Sequence, residues 1–419
     1  MTARRKPTQV QLTISDLGGG GDGVANVDGE RVFVPYALPG EEVRAVVSGN
    51  RAVVEEILKP SPDRIDPFCT HFTRCGGCAV QHLHMDAYQS WKKGIVEVAL
   101  ANKGLDTLVD DLVDAHGVGR RRVSLHVRFD KGRPQVGFMQ ARRHELVDLD
   151  LCPVLAPGLS GAADVARALA APFAVRGGEL DVRITASDSG LDCDIKCAGK
   201  KIELDLNARM DLAEIATDLN LARVTVGGDL VVEHRPPAFS MGAGRVVPPP
   251  GGFLQATQAG EDALAALVME HAGSAKKVAD LFCGIGPFAL RLAAQASVLA
   301  VDADEAQITA LANAVRHCQG LKPITTEVRD LFRNPFMAQE LSSFECIVFD
   351  PPRAGAQAQV REIATAQVPT VIGVSCDPAS FARDAATLCA GGYRLDRVTP
   401  VDQFKYTRHV ELVAVFRHG

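Results

Sequence analysis

From Gln258 onward the chain alternates helix-period segments with short β-branched apolar runs, and few folds accept that alternation. Helical 258–271 precedes a strand-like run at 277–282. Helix 287–294, strand 298–301, helix 305–317 and strands 324–328 and 346–349 follow. A last apolar run (Val371, Ile372, Val374) stops at Ser375. The order predicts an α/β domain of Rossmann-like type, a parallel sheet with helices on both faces. Ligands of such sheets lie at the carboxyl ends of the strands, so the turns after each strand carry the chemistry.

Asp280-Leu281-Phe282-Cys283-Gly284-Ile285-Gly286 joins the first strand to the next helix. Its glycines let backbone approach a nucleoside cofactor. Asp302 ends the second strand, placed to accept hydrogen bonds from ribose hydroxyls. The turn lacks the G-x-G-x-x-G of a pyrophosphate site. That favours S-adenosylmethionine over NAD, because S-adenosylmethionine has no diphosphate to cradle. Asp330 follows the third strand, on the side of an adenine edge. Asp350-Pro351-Pro352-Arg353-Ala354-Gly355 ends the fourth, where two prolines stiffen the turn and remove N–H donors.

The run at 371–374 breaks at Ser375-Cys376-Asp377-Pro378, and a helical pattern starts at Ser380. A thiol at such a turn is near backbone N–H groups and the positive end of a helix dipole, which favours a nucleophilic thiolate. An inert, half-buried cysteine is the plain alternative. Glu411 opens a closing apolar strand and is expected at the same sheet edge. A thiol and a carboxylate facing one site can add to a carbon and later remove a proton.

A chain of 419 residues is too long for one ordinary domain. Composition shifts divide it at 1–60, 61–245 and 246–419, the last opening on Val-Val-Pro-Pro-Pro-Gly-Gly. Short alternating runs at 9–14, 31–35, 42–47 and 51–57, separated by turn clusters such as Gly18 to Gly23, predict a small β-barrel. This segment resembles a TRAM domain, an RNA-binding barrel, although its Arg4, Arg5 and Lys6 and its other basic residues are offset by acids. Cys69, Cys75 and Cys78 form C-x5-C-x2-C, and Cys152 follows downstream. Four thiolates suit zinc or an iron–sulfur cluster, and spacing does not choose between them. Cys193 and Cys197 lie on a strand pattern and are read as structural. A helix is expected at 88–105, then a β-rich stretch at 119–230 with helical insertions at 159–169 and 208–219. Residues 120–143 carry Arg120, Arg121, Arg122, Arg128, Lys131, Arg133, Arg142 and Arg143 against Asp130 alone. This is either a solvated strand face or a surface that tracks phosphates. The net charge of -6 argues against a uniformly basic nucleic-acid binder. The first residues lack the apolar core of a secretory signal, and no uninterrupted apolar run spans a bilayer, so a cytoplasmic protein is expected.

Together these motifs resemble the bacterial RNA uracil-C5 methyltransferases, in the branch with a TRAM domain and an iron–sulfur cluster that modifies 23S ribosomal RNA. The resemblance rests on the barrel segment, the cysteine pattern and Phe253-Leu254-Gln255. It extends through D-L-F-C-G-I-G, D-P-P-R-A-G, S-C-D-P with F-A-R-D, and T-x-H-V-E. It implies a class I S-adenosylmethionine methyltransferase domain at 246–419, behind a TRAM-like barrel and a β-rich central domain with the cluster and a basic RNA-binding surface. It implies that Cys376 attacks C6 of uridine and that Glu411 removes the C5 proton. Gln255, Phe282, Pro287, Asp302, Asp330 and Asp350 would contact S-adenosylmethionine. Phe253 would stack on the extruded base. Cys69, Cys75, Cys78 and Cys152 would hold a [4Fe–4S] cluster. The protein would act as a monomer on RNA, with 23S ribosomal RNA the expected substrate. The family pattern often has Asn and Pro or Thr where Asp377 and Ala379 stand, and Pro where Lys405 stands. The alternatives are the same reaction on transfer RNA, an RNA cytosine-C5 methyltransferase, and an RNA-binding protein with a dead catalytic domain.

Overall fold

The computed structural model describes residues 8–174, 178–197 and 204–419, so Arg4, Arg5 and Lys6 lie outside the described residues. The chain forms two compact units. One comprises the residues up to Ile95 with Phe138–Val147 and Phe404–His409. The other comprises Val96–Gly137, Asp148–Gln403 and Val410–Gly419.

In the first unit, Thr8–Thr13, Asp16–Leu17, Asp22–Val27, Glu30–Pro35, Glu42–Ser48 and Arg51–Lys59 build a six-stranded sheet. Alternation puts Leu12, Val32, Val34, Val43 and Ala45 into one small core. A strand begins at Asp22, inside the glycine-rich stretch read as a turn. Gly23 is needed there, because a Cβ would stand 2.7 Å from the Ala37 carbonyl oxygen.

Among the described residues the second unit holds three sheets: the hairpin Phe239–Met241 with Gly244–Val246, and two larger ones. In the smaller of these two, Arg122–Asp130, Leu180–Ser187, Gly190–Cys197, Arg223–Val226 and Asp229–Glu233 run side by side in that order. Val123, Leu125, Val127, Val182, Ile184, Cys193 and Ile195 are buried. Helices Ala162–Ala170 and Leu206–Asp218 match the two expected insertions.

The larger sheet positions the site. Its central order is Ile324–Val328, Ser297–Asp302, Lys277–Leu281, Cys346–Phe349, Thr370–Ser375, Glu411–Arg417, Arg394–Asp402. The first five pair in parallel. Covered on both faces, the inner ones read as unbroken apolar runs: Cys346, Ile347, Val348, Val371, Ile372 and Val374 are all fully buried. Full burial of one such side chain stabilises by about 1.5–3 kcal/mol. The sheet departs from the all-parallel expectation at Glu411–Arg417, which runs antiparallel to both neighbours. Apolar periodicity carries no direction, and a register shift between Leu395 and Arg397 breaks the alternation of Arg394–Asp402. The helix expected at 287–294 is only Ala289–Leu292, because Pro287 and the tight glycine turn delay its start. Helix Gln357–Ala366 was not anticipated.

Candidate active site

The parallel strands end at one cavity of about 490 Å³. One side of it is the loop after Lys277–Leu281. Phe282 takes a left-handed φ of 62°, and Gly284 and Gly286 follow at 55° and 83°. A Cβ on Gly286 would meet Leu311 at 2.5 Å, so only glycine lets the Glu305–Arg316 helix pack against the turn. Asp302 locks the loop: its Oδ2 accepts the Gly284 N–H at 2.9 Å and its Oδ1 accepts the Asp304 N–H at 2.9 Å. Asp350 lies at the next strand end, its own N–H donated to the Leu281 carbonyl at 3.1 Å. Burial, reinforced by the Asp302 charge, pushes the Asp350 carboxyl up to about 7.

The opposite side holds the candidate reacting groups. Ser375 pairs with Leu412 in the antiparallel register, so the next residues out along that edge are Cys376 and Glu411. Both line the cavity, with Arg353 and Phe253. Burial pushes the Cys376 thiol up to about 11; Glu411 and Asp350 add to the rise, and Arg353 opposes it. The expected thiolate is therefore not the resting form. The Pro378–Ala390 helix opens on a proline with no N–H to offer, and its Asp377 cap takes the Ser380 N–H at 2.8 Å. Desolvation beside two carboxylates outweighs the dipole. Burial and Asp350 also push Glu411 up to about 8, against the pull of a Gln403 hydrogen bond, Arg353 and Arg122.

Of the residues expected at the site, Gln255, Phe282, Pro287, Asp302, Asp350, Cys376 and Glu411 line this cavity. Asp330 does not. Its Oδ1 accepts the Phe332 and Arg333 N–H groups at 3.0 and 3.2 Å and shapes the turn, while Arg329, Leu331 and Phe332 reach the cavity instead.

Cys69, Cys75 and Cys78 lie in the first unit and Cys152 in the second. Among the described residues, no three His, Cys, Asp or Glu side chains gather closely enough to hold a metal ion. Local hydrogen bonds hold the Cys69–Cys78 loop: the Cys69 N–H donates to Gln81 at 3.3 Å and the Gly77 N–H to the Cys75 sulfur at 3.4 Å. Cys69 and Cys75 still sense each other, since burial and the Cys69 charge push the Cys75 thiol up against the pull of the Gly77 N–H.

The basic stretch divides between the units, residues 120–137 in the second and 138–143 in the first. Arg121 is 6% exposed. Its guanidinium donates to the Gln255 carbonyl at 3.1 Å, to Gln258 at 2.5 Å and to Glu261 at 2.6 Å. Arg128 pairs with Glu179 at 2.8 Å, and Arg142 pairs with Asp22. Strand alternation and distant acids, neither visible in a local charge count, divide the run.

One contributor carries no signal in the sequence, and the local charge count does not place the other beside Phe253. Gln403 is fully buried; its Oε1 accepts the Ala256 N–H at 2.8 Å and its Nε2 donates to Gln255 Oε1 at 2.6 Å. Arg122 lies 4.7 Å from the centroid of the Phe253 ring.

A family model described as tRNA (uracil-5-)-methyltransferase matches residues 251–418. An uncharacterized RNA methyltransferase of Brucella suis is 43% identical over 409 residues, covering 98% of each chain. The 23S rRNA (uracil(1939)-C(5))-methyltransferase RlmD of Halomonas elongata is 34% identical, covering 99% of this chain and 93% of its own. The tRNA (uracil-54, C5)-methyltransferase of Pyrococcus abyssi, solved with S-adenosyl-L-homocysteine, shares the fold with a TM-score of 0.74 at 22% identity, covering 97% of this chain and 99% of its own. The chain belongs to the S-adenosylmethionine-dependent RNA uracil-C5 methyltransferase family.

Proposed function

We propose that the protein methylates C5 of uridine in 23S ribosomal RNA through a covalent bond between Cys376 and C6. One observation carries this reading: the Ser375–Leu412 register sets Cys376 and Glu411 at the rim of the same cavity as the cofactor loop. Deprotonated Cys376 adds to C6, and the C5=C6 electron pair moves toward C5 and O4. S-adenosylmethionine supplies the methyl group that C5 accepts. The Glu411 carboxylate then takes the C5 proton, the ring double bond returns, and the thiolate leaves. Arg353, the cation that pulls both the Cys376 and Glu411 pKa values down, favours the charged forms the sequence of steps needs. Asp302 and Asp350 hold the cofactor side and Phe253 stacks on the extruded base.

The 23S substrate is supported by the relative from Halomonas elongata, alike over nearly the full length. The six-stranded sheet of residues 8–59 is read as a TRAM-like RNA-binding part. The [4Fe–4S] reading of Cys69, Cys75, Cys78 and Cys152 has the cysteine spacing and the family resemblance in its support, and no step passes through it.

Incubation with 5-fluorouridine-substituted 23S RNA and S-adenosylmethionine tests the nucleophile. A covalent complex stable to denaturation is expected, and Cys376→Ala should abolish it. An unmodified wild-type protein would remove the covalent route.

A further inference from the structure

Arg122 is a guanidinium without a counter-ion beside the cavity. Among the described residues neither a hydrogen bond nor an ion pair reaches it; it stacks on Phe253, with the guanidinium carbon 4.7 Å from the ring centroid. Its charged neighbours are mostly alike. Burial, then Arg183, Arg121 and Arg120, pull its pKa down to about 10, and Glu411 alone acts the other way. Arg121 is already satisfied by Glu261 at 2.6 Å. Arg183 is not: it gives an N–H to the Gly251 carbonyl and, among the described residues, has no ion pair.

The sheet brings the two unpaired cations together. Arg122 stands opposite Thr185, and Ser124 opposite Arg183, so both side chains leave the same face of adjacent strands on a diagonal. The turn before Phe253 is laid on Arg183 and its cross-strand neighbour Asp194, since a Cβ on Gly251 would stand 2.9 Å from an Asp194 oxygen and 3.0 Å from an Arg183 nitrogen. One face of Phe253 is thus backed by Arg122, while 55% of the residue stays exposed at the cavity.

We propose that Arg122 and Arg183 form a phosphate clamp for the backbone of the nucleotide whose base enters the cavity. This assignment rests on the RNA methylation reading above and deepens it. A planar guanidinium matches a phosphodiester bidentately, and half-buried unpaired cations favour an anion over water. The clamp holds the sugar–phosphate at the rim while Phe253 meets the base, so recognition of the backbone and of the ring share one aromatic side chain. Arg122 and Arg183 lie outside residues 251–418, the segment matched by the family model.

Ethylation interference tests it on the whole chain. Unmethylated 23S rRNA is sparsely ethylated at its phosphates, bound fractions are separated, and blocked positions are read by primer extension. The wild type should show strong interference at a phosphate flanking the methylated uridine. In Arg122→Leu that one position should lose its interference while the others keep theirs. RNA affinity should fall roughly tenfold or more, the range of one charge-assisted contact, and the salt slope should flatten by about one. S-adenosylmethionine binding should be unchanged, which also reports folding. If Arg122→Leu does not bind the cofactor, Arg183→Met is read in its place, with the same loss expected. An interference map identical to the wild type's overturns the clamp. Failure of the wild type to methylate this RNA overturns instead the substrate reading beneath it.

Discussion

Gln403 donates from Nε2 to Oε1 of Gln255 across 2.6 Å, and this contact fixes which end of the Gln255 amide is left for the cavity. The direction is not arbitrary. The backbone N–H of Ala256 requires Gln403 to turn its oxygen inward, so its NH2 faces Gln255 and Glu411. Gln255 is left with its own NH2 as the free end. Gln403→Met keeps the volume and removes all of these bonds. The expected result is a drop in kcat of about tenfold or more, the cost of one unsatisfied buried group. The pH midpoint of the rate should also move up, because Glu411 loses a donor to its charged form. A pH–rate profile checks both, and an unmoved midpoint would separate Gln403 from Glu411.

Glu411 ties stability to pH. Its carboxyl titrates near 8 when folded, above its value in the unfolded chain. Between those values the folded state holds a proton that the unfolded state lacks, so stability falls as pH rises toward 8. Glu411→Gln removes this loss. The variant should melt higher than the wild type, by a margin that widens from pH 5 to pH 8, on the order of a few kcal/mol at the top of the range. Thermal melts across that range decide it; a constant margin would mean that Glu411 is not held protonated.

The same substitution should stall the reaction after methyl transfer. With the C5 proton still in place, the methylated base stays bonded to Cys376. Denaturing gels of Glu411→Gln with radiolabelled cofactor should show the label migrating with protein and RNA together. Normal release of free methylated RNA would assign proton removal to another group.

In the proposed reading Asp302 serves the cofactor by two routes, its free lone pairs and its bond to the Gly284 N–H. Asp302→Ala should weaken S-adenosylmethionine binding by about 10- to 100-fold, the range of hydrogen bonds to a charged group. Calorimetric titration measures this, and Asp330→Ala is the contrast. Because Asp330 caps its own turn, its loss should lower the melting temperature more than the affinity.

Iron analysis of anaerobically purified protein separates the two readings of the cysteine loop. A bound cluster gives about four irons per chain and a brown colour. Four irons would establish the cluster reading, and protein without iron would remove it.

The catalytic half was readable because its signals are local. Apolar runs, the turn after Leu281 and the break at Ser375 each declare themselves within a few residues. What escaped depends on partners far away in the chain. Arg121 reads as a surface charge until Glu261, 140 residues on, is placed beside it. Gln403 carries no motif, since its importance comes from the backbone of Ala256. The upward push on the Cys376 thiol has no local signal, because a turn motif shows the helix that follows but not the burial and the carboxylates folded against it.

The reversed direction of Glu411–Arg417 has a consequence for how the enzyme can be broken. Side chains of a strand alternate, so sliding this one by a single residue would put Val410 or Leu412 where Glu411 stands. The apolar residues Leu412 to Phe416 therefore act as a ruler for the chemistry. A cavity or an oversized side chain among them, remote from any ligand, can silence methylation by misaligning one carboxylate while the protein stays folded and still takes up its cofactor.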